Sequence, residues 1–347
     1  MKNKKSLLFL IFILLIISMV FNAVFYYQQS RQQNIKIKAD ALDIIDQRLN
    51  TTYFEINNFP SGAADNLLFL SKLSEFQKIS TNSAEINNIK NDFLEFLNQS
   101  EAYYQISYIN SDKKVLLMAE FDGKTRQIIS DSNDKQNDNS CFDLLKNLKK
   151  GEVYIFPLTL EKKIPVLKYA TPIFDQKTNR LKGIILVKVY ANYFLDSIRR
   201  SRREGETTYL IDKDGFYLAN PNKNKEFGYL SENENNNFFV DYPIASKDLI
   251  TKCDERRQET NEQFFTYRCI NPTISNFELY EGSKTINENL NDDYQWLLIT
   301  VTNKSNRLKD FSQQKKDYLW AILIQVLIQG FIFILLLINN KLDEKNN

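Results

Sequence analysis

A few short patterns in this 347-residue chain carry the residue types of known reaction sites, and each pattern is incomplete. Ser111 and Lys114 have the spacing of a Ser-Lys nucleophile pair, but the same spacing recurs by chance elsewhere in the chain. Gly123–Thr125 matches the end of a phosphate-binding loop, yet Met118 stands where that loop requires its leading glycine. The chain has no histidine, which excludes a Ser-His-Asp triad and a His-ligated zinc site. The sequence therefore predicts no enzyme, no metal site and no cofactor.

The charge balance also limits the partners. The chain carries 45 Lys and Arg residues against 43 Asp and Glu residues, a net charge of +2. Because the two signs are interspersed, the composition argues against a nucleic-acid binder, which would show a strong basic bias. The length allows about two ordinary domains.

Two apolar segments, residues 6–28 and 318–340, contain no charged residue, and each is long enough to cross a bilayer as a helix. The first exceeds the apolar core of a cleaved signal peptide and lacks a clear cleavage site, which favours a retained anchor. Residues 1–5 carry three lysines and are therefore predicted to be cytoplasmic. Residues 341–347 would form a short cytoplasmic tail, and the region between the two segments would lie outside an inner membrane as part of a bitopic hairpin.

Residues 29–100 are predicted to form a helical stalk and further N-terminal helices. Apolar residues recur there at helical spacing, namely Leu42, Ile45, Leu49, Tyr53 and Ile56. Such a stripe is typical of a core or of a dimer seam, so a homodimer is plausible. The sequence Pro60-Ser61-Gly62 is predicted to end the first of these helices.

From residue 101 the pattern changes to short strands separated by turns. The first unit, residues 101–203, contains predicted strands at 103–109, 115–121, 127–129, 153–158, 166–174 and 183–189, with a short helix at 142–148. The second unit, residues 204–303, contains predicted strands at 207–211, 216–218, 263–270 and 295–301. Residues 304–317 are predicted to continue as a helical stalk into the second apolar segment.

Three stretches resemble, in order and spacing, the double Cache domains. They are GEVYIFPL at 151–158, PVLKYATPIF at 165–174 and YLIDKDGFYLANP at 209–221. Double Cache domains are PAS-like extracytoplasmic sensors of bacterial chemoreceptors, histidine kinases and cyclic-dinucleotide enzymes. The resemblance implies an α+β fold with two tandem PAS-like modules. Their antiparallel sheets would lie on a long N-terminal helix, flanked by two transmembrane helices.

The resemblance also implies a ligand site on the sheet of the membrane-distal module, under its loops and short helix. A small anionic or zwitterionic ligand would require a cation, aromatic walls and hydroxyl groups. The strands expected to border the site supply the candidates Arg126, Tyr154, Phe156, Lys168 and Tyr169. The alternative is that the aromatic residues are core and the cations are solvated. Ser107 stands where the family often has an arginine.

The three cysteines are too few for a Cys-only zinc site or a disulfide scaffold. In an oxidising compartment Cys253 and Cys269 could form a disulfide within the second module. Two buried free thiols are the equal alternative, because spacing alone cannot show proximity. Cys141 is then predicted to be a small buried apolar residue.

The favoured hypothesis is a membrane-anchored small-molecule sensor without catalytic activity. The chain ends a few residues after the second apolar segment, so the signal is expected to pass to a separate cytoplasmic signalling protein. Two alternatives remain open at this point. The chain could be a non-sensing envelope scaffold, or the sensory half of a split or truncated histidine kinase, chemoreceptor or cyclase.

Overall fold

The computed structural model describes residues 2–73, 84–129, 148–230, 235–243, 257–270, 295–307 and 309–345, together with Phe76, Phe142 and Leu145. Within these residues the chain has an α+β fold. Its helices are α1 (Lys2–Ser71), α2 (Ala84–Asn98), α3 (Asn192–Arg200), α4 (Phe238–Asp241), α5 (Lys304–Arg307) and α6 (Lys309–Lys345).

Helix α1 is continuous past residue 60, where the sequence predicted that it would end, so that prediction was wrong. A proline inside a helix removes one backbone hydrogen bond and disturbs the preceding turn. Beyond it, Ala63, Ala64, Leu67 and Leu70 recur at helical spacing, and each is at most 3% exposed. Burial of this apolar stripe offsets the cost of the proline.

The first sheet has the strand order β3-β2-β1-β7-β6-β4, and β5 pairs with β6 off this path. Its strands are β1 (Tyr103–Asn110), β2 (Val115–Phe121), β3 (Arg126–Ile129), β4 (Tyr154–Ile155), β5 (Thr159–Glu161), β6 (Ile164–Phe174) and β7 (Leu181–Tyr190). The pairs β1/β2, β1/β7 and β6/β7 are antiparallel.

The second sheet has the order β10-β11-β12-β8-β9. Its strands are β8 (Glu206–Asp212), β9 (Tyr217–Ala219), β10 (Arg257–Glu259), β11 (Gln263–Ile270) and β12 (Trp296–Asn303). Five strands of the first sheet, β2-β1-β7-β6-β4, follow the same order as β9-β8-β12-β11-β10 in the second. Each sheet therefore places its earliest strand beside its last.

Most strands lie where the sequence predicted them. β2 and β11 have the predicted bounds. β5 (Thr-Leu-Glu) and β10 (Arg-Gln-Glu) were not predicted, because they contain a single apolar residue between them. The predicted helix at 142–148 lies mostly outside the described residues, although Phe142 and Leu145 are helical.

One hydrophobic core joins α1, α2 and one face of each sheet. Leu67 of α1, Phe93 of α2, Tyr169 of the first sheet and Leu298 of the second all belong to it, and all are fully buried. We call the sheet faces that contact this core the helix faces, and the opposite faces the outer faces.

The chain divides into two compact units, residues 48–301 and residues 1–47 with 302–347. Among the described residues, one helical segment, Phe9–Ser71, has the length and apolar composition of a membrane span. Leu319–Leu335 is a shorter apolar helical segment.

Candidate functional site

A row of polar side chains crosses the outer face of the first sheet. The strand register places Lys168 of β6 beside Lys188 of β7. It then places Gln105 of β1 beside Lys188, and Glu120 of β2 beside Gln105. Residues paired in register point to the same side of a sheet, so these four side chains share one face. Gln105 uses its Nε2 to donate a hydrogen bond to Glu120 Oε2 at 3.1 Å.

Glu161 of the edge strand β5 lies against this row, where it forms two ion pairs and accepts a hydrogen bond from a tyrosine. Lys168 Nζ is 2.6 Å from Oε1, and Lys188 Nζ is 3.2 Å from Oε2. The hydroxyl of Tyr104 donates to Oε2 at 2.6 Å. One carboxylate thus joins donors from three neighbouring strands. We call these four residues, Tyr104, Glu161, Lys168 and Lys188, the carboxylate hub.

The contacts within the hub fix the protonation states of Glu161 and Tyr104. Burial opposes ionisation of Glu161, but hydrogen bonds from Lys168 and Tyr104 and the charge of Lys188 prevail and lower its pKa to about 2. Burial and the bond to Glu161 both raise the pKa of Tyr104 above its usual value. At neutral pH Glu161 is therefore an anion, and Tyr104 keeps the proton that it donates.

A β-bulge brings Tyr104 to the hub. The register between β1 and β7 shifts between Tyr103 and Gln105, so Tyr104 is an extra residue in β1. Its ring stacks on the ring of Tyr190 with a centroid distance of 4.4 Å and an interplanar angle of 12°. This stacking holds the Tyr104 ring in place beside Glu161.

Two buried polar atoms on the same outer face have no hydrogen-bond partner among the described residues. They are Gln105 Oε1 and Ser107 Oγ. Ser107 is fully buried, and its register partners are Met118 and Leu186. A buried polar atom without a partner costs about 1–3 kcal/mol, so each is a group that a ligand or an ordered water can satisfy.

An aromatic pair borders the polar row. The rings of Tyr154 and Phe156 meet edge to face with centroids 4.6 Å apart. Both belong to an apolar cluster on the outer face that also includes Ala170, Leu186 and Phe142. The face therefore combines an apolar wall with charged and hydrogen-bonding groups, as small-ligand sites do.

The structure places three of the five residues predicted for the ligand site on this face, namely Tyr154, Phe156 and Lys168. The other two lie on the helix face. Tyr169 is fully buried in the core beside the helices, since neighbours on a strand point to opposite faces. Arg126 donates from Nε to the carbonyl of Leu97 at 2.8 Å, near the end of α2, and its guanidinium lies 4.7 Å from the centroid of the Phe121 ring. A ligand role for any of the five stays a prediction.

Three members of the hub were not predicted from the sequence. Lys188 could have been predicted from the sequence. It is a lysine within an otherwise apolar strand, and such a strand is expected to be mostly buried. Glu161 and Tyr104 could not have been predicted in this way. Glu161 belongs to β5, which was not predicted, and Tyr104 reaches the site because of the bulge in β1.

The predicted disulfide is described only at one end. Cys269 of β11 is disulfide-bonded. Cys253 and Cys141 lie outside the described residues, so the pairing of Cys269 with Cys253 stays a prediction.

The outer face of the second sheet has a different content. Phe238 of α4 is fully buried and contacts the rings of Tyr209, Tyr217, Tyr242 and Phe265, with centroids 4.8–6.5 Å apart. The aromatic side chains of the chain itself thus occupy this face.

Polar groups at the edge of that aromatic cluster satisfy one another. Tyr217 donates its hydroxyl to Asp241 Oδ2 at 2.7 Å, and Lys225 Nζ is 2.7 Å from both oxygens of Asp241. Asp212 begins the turn after β8 and accepts the backbone N–H groups of Asp214 and Phe216 at 3.0 and 2.8 Å. Burial nevertheless raises the pKa of Asp212 to about 6.

Two sheets with the same strand order thus share one helical core. The sequence model of the bacterial histidine kinase sensor domain matches residues 71–271, more than half of the chain. The chain therefore belongs to the bacterial histidine kinase sensor domain family, and the predicted likeness to double Cache sensors is confirmed.

Solved structures with the same fold come from several kinds of receptor. The extracellular domain of the histidine kinase vpHK1S-Z8 has a TM-score of 0.58 at 16% identity, covering 79% of this chain and 98% of that chain. The domain of a sensory box/GGDEF family protein from Vibrio parahaemolyticus has a TM-score of 0.56 at 16% identity, covering 78% and 98%. The periplasmic sensory domain of the Campylobacter jejuni chemoreceptor Tlp1 has a TM-score of 0.56 at 16% identity, covering 79% and 98%. A search of curated proteins finds no match.

Proposed function

We propose that this chain is a non-catalytic, bitopic inner-membrane sensor. Two tandem PAS-like modules would form its extracytoplasmic part between two transmembrane helices. It would bind a small molecule on the first module and relay the binding, as a homodimer, to a separate cytoplasmic signalling protein. The family and the matching strand orders of the two sheets support this proposal.

The observation that carries the ligand role is the outer face of the first sheet. It offers a charged hub, an aromatic wall and the buried, unsatisfied Gln105 Oε1 and Ser107 Oγ. Small-ligand sites combine apolar walls with a few such polar groups. Of the sequence-predicted residues, we keep Tyr154, Phe156 and Lys168 as ligand candidates, because they share this face.

Contacts between the two apolar helical segments support a membrane hairpin. The rings of Phe12 and Phe333 lie with centroids 5.1 Å apart. Gln329 Nε2 donates to Ser18 Oγ at 3.3 Å. Polar contacts of this kind between apolar helices stabilise association within a bilayer.

Binding on the outer face can reach the helices because the same strands contact α1. The hydroxyl of Tyr103 in β1 accepts a hydrogen bond from Asn66 of α1 at 2.7 Å. Arg199 of α3 makes a buried two-pronged ion pair with Glu226, with distances of 2.7 and 2.6 Å, which joins α3 to the segment that follows β9. A ligand signals only if it binds two arrangements of these elements with different affinity.

The test is a thermal-shift screen of the full chain in detergent against amino acids, carboxylates, amines and nucleobases. A ligand at 100 times its dissociation constant should raise Tm by about 5–10 °C. Lys168→Met should reduce the response to that ligand at least tenfold in affinity, whereas Lys177→Met, at an exposed turn, should not. A folded wild-type protein that responds to no compound would contradict the proposal and favour the envelope-scaffold alternative. An unchanged affinity in Lys168→Met would contradict the assigned face.

A further inference from the structure

The donors of the carboxylate hub come from long, well-paired strands, whereas its acceptor comes from a short edge strand. Lys168, Lys188 and Tyr104 project from β6, β7 and β1, which pair with their neighbours along most of their length. The two lysine side chains are 15% and 12% exposed. Glu161 instead comes from β5, which has three residues and pairs with β6 alone in the described sheet. The donors would therefore keep their positions if the carboxylate left.

The hairpin that carries Glu161 has a turn that its residues do not favour. β5 and β6 are joined by Lys162 and Lys163, whose φ angles are +50° and +70°. This left-handed region suits Gly, Asn and Asp, and lysine carries a steric penalty there. The hairpin also pairs Leu160 with Pro165, which has no backbone N–H to donate. Packing of Leu160 against the core and the interactions of Glu161 together hold the hairpin against the sheet.

The hub holds two ammonium groups and one carboxylate, so it keeps an excess positive charge. A phenol donor converges on the same point. Two cations and a hydroxyl donor around one carboxylate form a carboxylate-binding site, and here the chain itself supplies the carboxylate. The unsatisfied Gln105 Oε1 lies in the same polar row and is free to accept a hydrogen bond from another part of a ligand.

We propose that Glu161 is an internal substitute for a ligand carboxylate. A carboxylate-bearing ligand would displace it from Lys168, Lys188 and Tyr104 and so release the β5–β6 hairpin. This inference rests on the proposed sensor function and adds the ligand class and the element that responds.

Space for the released hairpin lies next to the second sheet. Residues 157–160, which lead into and form β5, line a cavity of about 400 Å³. Leu218 and Trp296 of the second sheet line the same cavity. Movement of β5 would therefore change contacts at the second sheet. In this way, displacement of Glu161 by a ligand could alter the second sheet.

The experiment is chemical rescue of the full chain carrying Glu161→Ala, in detergent, with acetate as the probe. Acetate should raise the Tm of this variant saturably, by about 3 °C or more, because it refills the site between the two lysines. Acetamide and sodium chloride at matched ionic strength are the controls and should have less than a third of this effect. Wild-type protein, whose site is already filled, should respond at least threefold less than the variant.

Adding Lys168→Met to Glu161→Ala should abolish the acetate response. If Glu161→Ala does not fold, Glu161→Ser replaces it, since the short side chain also vacates the site between the two lysines. A folded variant that ignores acetate, or responds equally to acetamide, would overturn the inference even if the ligand screen succeeds. Rescue by acetate without any hit in the ligand screen would support the anion site and count against the sensor function alone.

Discussion

The outer faces of the two sheets differ although the strands beneath them follow the same order. On the first sheet, Lys168 and Lys188 share the carboxylate of Glu161, and Ser107 Oγ is buried without a partner among the described residues. On the second sheet, Phe238 fills the corresponding side with an aromatic cluster, and Tyr217 and Asp241 beside it are hydrogen-bonded to each other. Gln258 Oε1, in the edge strand β10, is buried on this face without a partner among the described residues. One strand order thus supports a face that carries a charged hub and a face covered by the chain's own aromatic side chains.

The difference shows where function can be sought in a repeated architecture. A closed aromatic face is stabilised by packing, whereas buried polar atoms without partners reduce stability and persist where they serve another purpose. The first face is thus the better candidate for binding, and the second for stability. Four substitutions test this contrast.

The largest effect is expected at the second face. Phe238→Ala should lower the free energy of unfolding by about 3–5 kcal/mol, because it empties the centre of the aromatic cluster. Val240 lies on the same short helix and is 54% exposed, so Val240→Ala should change stability by less than about 0.5 kcal/mol. Urea unfolding of both variants measures the difference. A Phe238→Ala loss below about 1 kcal/mol would show that this face is loosely packed.

At the first face, Glu161→Gln should lower stability at neutral pH by about 2 kcal/mol, a value reduced for the partial exposure of the ion pairs. The pKa of Glu161 falls from 4.5 to about 2 on folding, so its ionisation stabilises the fold above pH 4.5. That contribution is lost as the pH falls from 4.5 through 2. Thermal unfolding from pH 7 to pH 2 should show the variant and wild type converging. A pH-independent difference would contradict the assignment.

At Asp212, in the second sheet, the pH dependence of stability should have the opposite sign. Its pKa rises from 3.8 to about 6 on folding, so the neutral form is favoured and stability is lost as the pH rises through 6. Asp212→Asn keeps the acceptor for the turn and should add about 1–2 kcal/mol at pH 7 but nothing below pH 3.8.

Asp122 provides the matched control for that variant in the first sheet. It also begins a turn and accepts two backbone N–H groups, from Lys124 and Thr125 at 2.8 Å each. These bonds hold the pKa of exposed Asp122 below its usual value, so Asp122→Asn should not stabilise the protein at pH 7. Equal effects of the two Asn substitutions would show that burial does not govern Asp212.

The smallest effect on stability is expected from Ser107→Ala. Because the hydroxyl is buried and unsatisfied, its removal should leave stability unchanged or raise it by less than about 1 kcal/mol. Thr208→Val in the second sheet is the comparison, since Thr208 Oγ1 bonds Thr300 Oγ1 at 2.9 Å and its loss should cost about 1 kcal/mol. Calorimetry gives both values. A destabilisation from Ser107→Ala as large as that from Thr208→Val would argue that Ser107 has a structural partner.

Much of the fold could be predicted from local patterns. Short runs rich in apolar and aromatic residues located strands such as β2 and β11, because such runs favour buried strands. The continuation of α1 through Pro60 could not be predicted, since it depends on burial of residues beyond it against distant strands.

The site was predictable only in part for a related reason. Lys168 lies on a long strand in a recognisable stretch, and the alternation of that strand already separates it from Tyr169. The partner of Lys168, Glu161, belongs to a three-residue edge strand, and Tyr104 depends on a bulge set by tertiary pairing. The pairing of β1, β5, β6 and β7 depends on contacts between distant parts of the chain. It therefore cannot be predicted from the sequence of any one segment.

The shared core of the two sheets has a consequence for protein engineering. Tyr169 of the first sheet and Leu298 of the second belong to one apolar cluster with α1 and α2. The helix faces of the two sheets pack on the same core. A chimera that exchanges one sheet must therefore also contain the residues of α1 that pack against that sheet. Chimeras between relatives should therefore fold when the helices are exchanged together with the sheets, and aggregate when the junction separates a sheet from its helices.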